Sequence, residues 1–166
     1  MSEPCDLSAI EARRMISAKQ LSPVELVESC IKRIEATNGA VNAIVAMDEE
    51  AALEAARSAE RAVVHGEPLG LLHGLPIGVK DLQATAGLRT TWGSLIHEDH
   101  VPEEDETTVA NLRDEGAIIL AKTNTPEFGA GANTRNRVYG ATGNPFDPSK
   151  TCGGSSGGSA VALSLG

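Results

Sequence analysis

The stretch Gly153-Gly-Ser-Ser-Gly-Gly-Ser-Ala160 decides how the rest of the sequence is interpreted. Consecutive glycines permit backbone conformations that other residues resist. A flexible Gly/Ser linker is disfavoured because an apolar helical segment, Ser159 to Leu165, follows at once. A phosphate-binding loop is half matched by Gly153 and Gly158, but the lysine that this motif requires is absent. A strained, structured loop is the third alternative, and the sequence favours it.

Two apolar segments precede this loop. Ala117-Ile-Ile-Leu-Ala121 predicts a buried strand. Leu75-Pro-Ile-Gly-Val-Lys-Asp-Leu82 predicts a second strand or extended segment, interrupted by Pro76 and Gly78. Residues 122–158 are dense in Gly, Asn, Thr and Pro, and predict loops. Because strands alternate with helices, the pattern is typical of the α/β class.

Helix signals dominate the N-terminal part of the chain. The capping boxes Ser8-Ala-Ile-Glu11 and Ser22-Pro-Val-Glu25 predict the starts of two helices. Asn38-Gly39 is expected to end the second helix, and Glu49 to His65 predicts a third. A further helix is expected over Asp105 to Glu115.

These elements divide the chain into two segments. Residues 1–70 are predicted to form an N-terminal helical segment, with one short β-like run from Val41 to Ala46. Residues 71–166 are predicted to form the first part of an α/β core. The last helix stops after about two turns, and a helix of that length is marginal alone. We therefore expect the chain to continue beyond Gly166 in the natural protein.

Composition excludes several classes of protein. The chain has 166 residues, 41% of them hydrophobic, and a net charge of −9, which repels DNA and RNA. Three cysteines without a C-x-x-C spacing predict neither a disulfide framework nor a zinc knuckle. The acidic N-terminus does not resemble a signal peptide. No apolar run is long enough to span a membrane, so we predict a cytoplasmic protein.

The titratable residues offer two candidate sites. Lys80 lies among small and apolar residues, and burial would lower the pKa of its amine and suit it to act as a general base. On residue type alone, however, the more typical interpretation is an ion pair with the adjacent Asp81. His97 and His100, three residues apart beside acids, could contact a metal, but the pattern is more typical of a solvated acidic loop. None of the four histidines lies in a context that predicts a Ser-His-Asp triad.

Four ordered stretches resemble the amidase signature family. They are Gly74-Leu-Pro-Ile-Gly-Val-Lys-Asp81, Leu120-Ala-Lys-Thr-Asn-Thr-Pro-Glu-Phe128, Tyr139-Gly-Ala-Thr-Gly-Asn-Pro145 and the Gly/Ser stretch 153–160. The resemblance covers nearly the whole chain, as the N-terminal portion of a family member. It implies an α/β fold with a mixed sheet covered by helices, incomplete in this chain.

The resemblance also implies a Ser–cis-Ser–Lys triad. Lys80 matches the lysine, and Ser155 matches the cis-serine, so a cis peptide bond is expected before Ser155. Ser156 matches a serine that is usually structural. The nucleophilic serine and the oxyanion hole are expected beyond Gly166, outside this chain.

Two further motifs bear on substrate and mechanism. Gly129, Ala130 and Gly131 match a segment that lines the acyl pocket in family members, so they are predicted to bind substrate. Cys152 departs from the family, which often has Pro or Ala there. A rival mechanism would use Cys152 as nucleophile with Lys80 and Glu127, while the simpler interpretation is a small packing residue.

The resemblance predicts an amidase that cleaves a small-molecule amide through a serine acyl-enzyme, without metal or other cofactor. The amidase-type subunit of a glutamyl/aspartyl-tRNA amidotransferase is the alternative, less favoured because Thr125-Pro126 and Gly131-Ala-Asn133 differ from that subunit's common sequence. A non-catalytic fragment without a nucleophile is a second alternative. We expect no nucleic-acid partner, and a homodimer is the candidate assembly.

Overall fold

A computed structural model describes residues 3–166. Five α-helices occur in this range: α1 Ala9–Ser17, α2 Pro23–Val41, α3 Glu49–His65, α4 Thr107–Asp114 and α5 Gly157–Leu165. Its strands are β1 Ile44–Met47, β2 Pro76–Lys80, β3 Ile118–Thr123, β4 Arg135–Asn136, β5 Gly140–Ala141, β6 Gly143–Asn144 and β7 Asp147–Thr151. Short 3-10 helices cover Pro4–Asp6, Leu95–His97 and Glu127–Gly129. None of the helices in residues 3–166 is long and apolar enough to cross a bilayer.

The main sheet is mixed, as the family resemblance implies. Its strand order is β1-β3-β2, with β1 antiparallel and β2 parallel to the central β3. All six residues of β3 are buried, which is typical of a strand covered on both faces. The ladder between β2 and β3 shifts register between Ile77 and Gly78, the position where the sequence predicts an interruption.

Helices cover the sheet from both sides. Ile118 and Leu120 of β3 pack with α2 and α3, where small side chains such as Ala56 allow close approach. Ile119 packs on another side with Val109 of α4. The α/β class is therefore confirmed, and the N-terminal segment supplies β1 as well as helices.

The two predicted capping boxes agree with the structure, whereas the predicted end of α2 does not. Both capping boxes form, at Ser8 with Glu11 and at Ser22 with Glu25. The prediction that α2 ends at Asn38-Gly39 is wrong, because α2 continues to Val41 and Asn42 caps it in the left-handed conformation. The side chain of Asn38 instead accepts hydrogen bonds from the backbone N–H groups of residues 43 and 44. That asparagine fixes the turn into β1 rather than ending the helix.

The segment predicted as loops contains short ladders. β4 pairs with β5, and β6 pairs with β7, both antiparallel. Because these ladders are short, side-chain hydrogen bonds also stabilise this region. For example, Thr142 Oγ1 donates to the carbonyl of Asn42 at 2.7 Å. The Gly/Ser stretch leads directly into α5, which begins at Gly157, two residues before the predicted start.

Two glycines at the start of α5 allow the helix to touch its neighbours. A Cβ on Gly158 would lie 2.3 Å from the backbone nitrogen of Asn124, just after β3. A Cβ on Gly157 would lie 2.2 Å from Thr134 Oγ1. No methyl group fits at these distances, so only glycine permits α5 to lie this close to the end of β3.

We predict that Gly158→Ala lowers the free energy of unfolding by about 3 kcal/mol, because backbone atoms must move to admit the methyl group. Gly39→Ala is the matched control. Gly39 lies exposed in α2 with no atom within 4 Å of a Cβ, so this change should raise stability by about 0.5–1 kcal/mol. Urea unfolding of the two variants measures both effects, and equal effects would contradict the close packing of α5.

Candidate active site

Lys80 and the Gly/Ser loop meet at one end of the main sheet. Lys80 is the last residue of β2, and its Nζ lies 2.8 Å from Ser155 Oγ across 75 residues of chain. The same Nζ lies 3.0 Å from Ser156 Oγ. Partial burial lowers the pKa of the Lys80 amine, which favours the neutral form that a general base requires.

The two hydroxyls suit either protonation state of Lys80. A serine hydroxyl can accept a hydrogen bond from an ammonium or donate one to a neutral amine. Ser155 is half-buried and Ser156 is exposed. The contact to Ser156 is nearly as short as that to Ser155, although the family resemblance implies a structural role for Ser156.

Thr134 fixes both ends of the loop that carries Ser155. Its N–H and its hydroxyl both donate to the carbonyl of Gly153, at 2.9 Å each, and its Oγ1 accepts from the N–H of Gly157 at 3.0 Å. These bonds make the stretch a fixed turn and not a flexible linker. Gly153 has a φ of +78°, and the Gly154–Ser155 peptide bond is cis, as the resemblance predicts.

Asp81 does not pair with Lys80. Its fully buried carboxylate accepts hydrogen bonds from the Thr91 hydroxyl at 2.6 Å and from the Thr91 N–H at 3.2 Å. Burial raises the pKa of this carboxyl, and the hydrogen bonds from Thr91 oppose the rise. Over residues 3–166 no ion pair forms between Asp81 and Lys80, so the alternative of a simple ion pair is not supported.

Lys122 is a second lysine that the sequence analysis did not single out. Its side chain is fully buried, and its Nζ donates to the carbonyl of Gln83, to Thr85 Oγ1 at 2.8 Å and to Thr90 Oγ1 at 3.0 Å. Burial lowers the pKa of Lys122 to about 8, and the negative charge of Asp81 partly offsets the shift. The available signal was a charged residue directly after an apolar run that predicts a buried strand.

The predicted acyl-pocket segment follows the Lys122 strand. Gly129 has a φ of +71°, and a Cβ there would lie 2.7 Å from the Leu82 side chain. Gly129 is half-buried, and Ala130 and Gly131 are exposed. The assignment of Gly129, Ala130 and Gly131 to substrate binding stays a prediction.

The remaining candidates are not brought together. Cys152 Sγ lies 3.5 Å from the carbonyl of Gly153, and Glu127 accepts from the Ser94 hydroxyl at 2.6 Å. Within the described residues no hydrogen bond connects Cys152, Glu127 and Lys80, so the cysteine mechanism has no geometric support.

The two histidines of the acidic loop pack against an aromatic ring. The His97 and His100 rings lie 4.8 and 5.3 Å from that of Trp92. In residues 3–166 no group of three or more His, Cys, Asp or Glu is placed to hold a metal.

Comparison with known proteins agrees with this geometry. The sequence model of the Amidase family matches residues 25–166. The chain is 43% identical over 163 residues to a protein of Acidothermus cellulolyticus, the A-type subunit of glutamyl-tRNA(Gln) amidotransferase, covering 98% of this chain and 32% of that protein.

Solved structures show the same likeness. A crystal structure described as that of an amidase is 38% identical with a TM-score of 0.86, covering 96% of this chain and 36% of its own. A bacterial aryl acylamidase of the amidase signature family is 36% identical with a TM-score of 0.87, covering 93% of this chain and 32% of its own. The chain spans about a third of the length of the relatives it matches.

The lowered pKa of Lys122 predicts a pH-dependent stability. In the unfolded chain lysine titrates near its ordinary value of about 10.4, whereas in the folded chain Lys122 titrates at about 8. The folded state therefore binds fewer protons between these values, so its stability should rise with pH across that interval. The penalty for the buried charge is fully present below the lower value.

We expect the free energy of unfolding of the natural sequence to rise relative to that of Lys122→Met between about pH 8 and pH 10.4. Chemical unfolding across this interval provides the measurement, with Lys80→Met present in both proteins so that Lys80 contributes to neither curve. A difference that stays constant with pH would show that Lys122 titrates normally.

Proposed function

Since the chain belongs to the amidase signature family, we propose that it supplies the lysine–serine proton relay of an amide C–N hydrolase. Lys80 is the base of this relay and Ser155 the intermediate hydroxyl. The observation that carries the proposal is the 2.8 Å contact between Lys80 Nζ and Ser155 Oγ. The lowered pKa of the Lys80 amine supports its role as proton acceptor.

The relay addresses the two difficulties of amide hydrolysis. A serine hydroxyl is a weak nucleophile until a base removes its proton, and an amine leaves only after it gains one. In the proposed mechanism the neutral Lys80 amine takes the Ser155 proton, and Ser155 takes the proton of a nucleophilic serine as that oxygen attacks the carbonyl. The protons then return along the same path to the departing nitrogen. Water hydrolyses the acyl-enzyme by the reverse sequence.

The family resemblance implies a nucleophile beyond Gly166, so the proposal concerns the complete protein. The proposed acyl pocket includes Gly129, Ala130 and Gly131, which are small residues that leave room for a substrate. A small-molecule amide, a cytoplasmic location and a homodimer remain parts of this proposal.

A component of a tRNA-dependent amidotransferase is the second candidate. It is favoured by the 43% identity to a protein named as part of glutamyl-tRNA(Gln) amidotransferase. In that case the same relay would release ammonia from an amide for use by the other components of the complex. Thr125-Pro126 and Gly131-Ala-Asn133 are the sequence features that favour a free amidase.

Lys80→Met in the complete protein should lower kcat for amide cleavage by about 10²–10⁴-fold, because the relay loses its base. Ser155→Ala should have a comparable effect. Lys150→Met is the matched control, because Lys150 is an exposed lysine of β7 paired only with Asp147 in the described residues. Release of amine or ammonia from a panel of aliphatic and aromatic amides measures all three. Equal rates for Lys80→Met and Lys150→Met would overturn the proposal.

The two candidates differ in their dependence on partners. A free amidase should cleave simple amides as an isolated protein. The amidotransferase candidate predicts instead that glutamine is the preferred amide and that ammonia release depends on partner proteins and glutamyl-tRNA(Gln). A complete protein that cleaves no amide under either condition would contradict both candidates.

A further inference from the structure

The three hydrogen-bond acceptors around Lys122 Nζ suit an ammonium group. Thr85 Oγ1 donates its hydrogen to the carbonyl of Gln83 at 3.0 Å, and Thr90 Oγ1 donates to the carbonyl of Leu88 at 3.0 Å. Both hydroxyls can therefore only accept from Lys122, as the Gln83 carbonyl does. A neutral amine has two hydrogens for these three acceptors, whereas an ammonium satisfies all of them.

This arrangement differs from that of Lys80. The serine hydroxyls beside Lys80 can reverse their hydrogen bonds, but the acceptors beside Lys122 cannot. The sheet thus holds one lysine whose partners suit either protonation state and one whose three partners suit the ammonium form. Because Lys122 also lies beyond hydrogen-bond reach of Ser155 in the described contacts, its role is separate from proton transfer.

A continuous path of contacts leads from Lys122 to Lys80. Lys122 binds Thr90, and the next residue, Thr91, binds the carboxylate of Asp81 through both its N–H and its hydroxyl. Asp81 in turn donates its N–H to the carbonyl of Thr123 at 2.9 Å, and its carbonyl accepts from the N–H of Trp92 at 3.1 Å. Asp81 follows Lys80 directly in the chain, so these bonds fix the end of β2.

We propose that Lys122 is a positioning residue for Lys80, acting through the buried turn that Asp81, Thr90 and Thr91 close. The hydrogen bonds of its ammonium connect residues 83–90 to the central strand. This connection orients the end of β2, so that the Lys80 amine faces the serines. The proposal rests on the proposed function, because it assigns to Lys122 the support of the same relay.

Burying a charged group costs free energy, so the presence of Lys122 in the turn calls for a specific explanation. An apolar residue at 122 could fill the space, but it would leave the Gln83 carbonyl and two threonine oxygens with fewer partners. The turn would then be free to shift. A displacement of about 1 Å at a catalytic group can cost about 10²-fold in rate, so precise support of Lys80 is such a reason.

Two variants of the complete protein test the proposal at different strengths. Lys122→Met removes all three hydrogen bonds, and Thr90→Val removes one acceptor with little change of volume. Ile16→Ala is the control, because Ile16 is fully buried in a separate cluster with α1 and α2 and should lower stability without altering the turn. All proteins are compared at a temperature where each is folded.

The first readout is the titration of the Lys80 amine, measured by competitive acylation and peptide mass spectrometry across pH, which needs no substrate. Its midpoint should rise toward the ordinary lysine value in Lys122→Met, rise less in Thr90→Val, and stay unchanged in Ile16→Ala.

The second readout is steady-state kinetics. We expect kcat to fall by about 10–100-fold in Lys122→Met with little change in KM, by a smaller factor in Thr90→Val, and not at all in Ile16→Ala.

The possible failures are distinguishable. If Lys122→Met and Thr90→Val lose stability as Ile16→Ala does but keep the natural Lys80 midpoint or the natural kcat, Lys122 is a structural residue and the proposal is wrong. If the natural protein cleaves no amide, the proposed function fails, while the acylation midpoints still decide whether Lys122 positions Lys80.

Discussion

The close contact between α5 and the end of β3 is the constraint on which the site depends. Gly158 lies against the backbone of Asn124, and Gly157 lies against Thr134, at distances that exclude any side chain. This contact places the preceding residues of the Gly/Ser loop over the end of β2. Ser155 thereby meets Lys80, although the two are far apart in the chain. The glycines of the Gly/Ser loop therefore allow a helix to pack closely against the end of a strand.

The sheet then separates two lysines by environment. Lys80 stands at the end of an outer strand, half-buried, with serine hydroxyls as partners. Lys122 lies in the central strand, fully buried, with acceptors whose own hydrogens are already committed. Burial lowers the pKa of both amines, yet the chemistry available to them differs. Hydrogen-bond partners, as much as burial, decide which protonation state of a buried lysine is favoured.

The sequence was most informative where the signals are local or shared with a family. Capping boxes at Ser8 and Ser22 marked helix starts, and the resemblance paired Lys80 with Ser155. Sequence patterns failed to predict features that depend on contacts between residues outside the local pattern. The end of α2 depends on the side chain of Asn38 reaching across the next turn. The Lys122 site depends on threonines from the loop after β2, which no spacing in the sequence connects to β3. The acyl pocket and the assembly remain predictions from the family resemblance.

The order of strands in the main sheet affects how readily this polypeptide associates with other chains. Within residues 3–166, β1 and β2 each have β3 as their hydrogen-bonded neighbour in the main sheet. Their outer sides therefore offer backbone donors and acceptors to any further strand of matching direction. Pairing with additional chain would widen the sheet and shield these groups from water. If no further chain covers them, these exposed strand edges favour self-association. The isolated polypeptide should therefore be studied in dilute solution, with its dispersity measured.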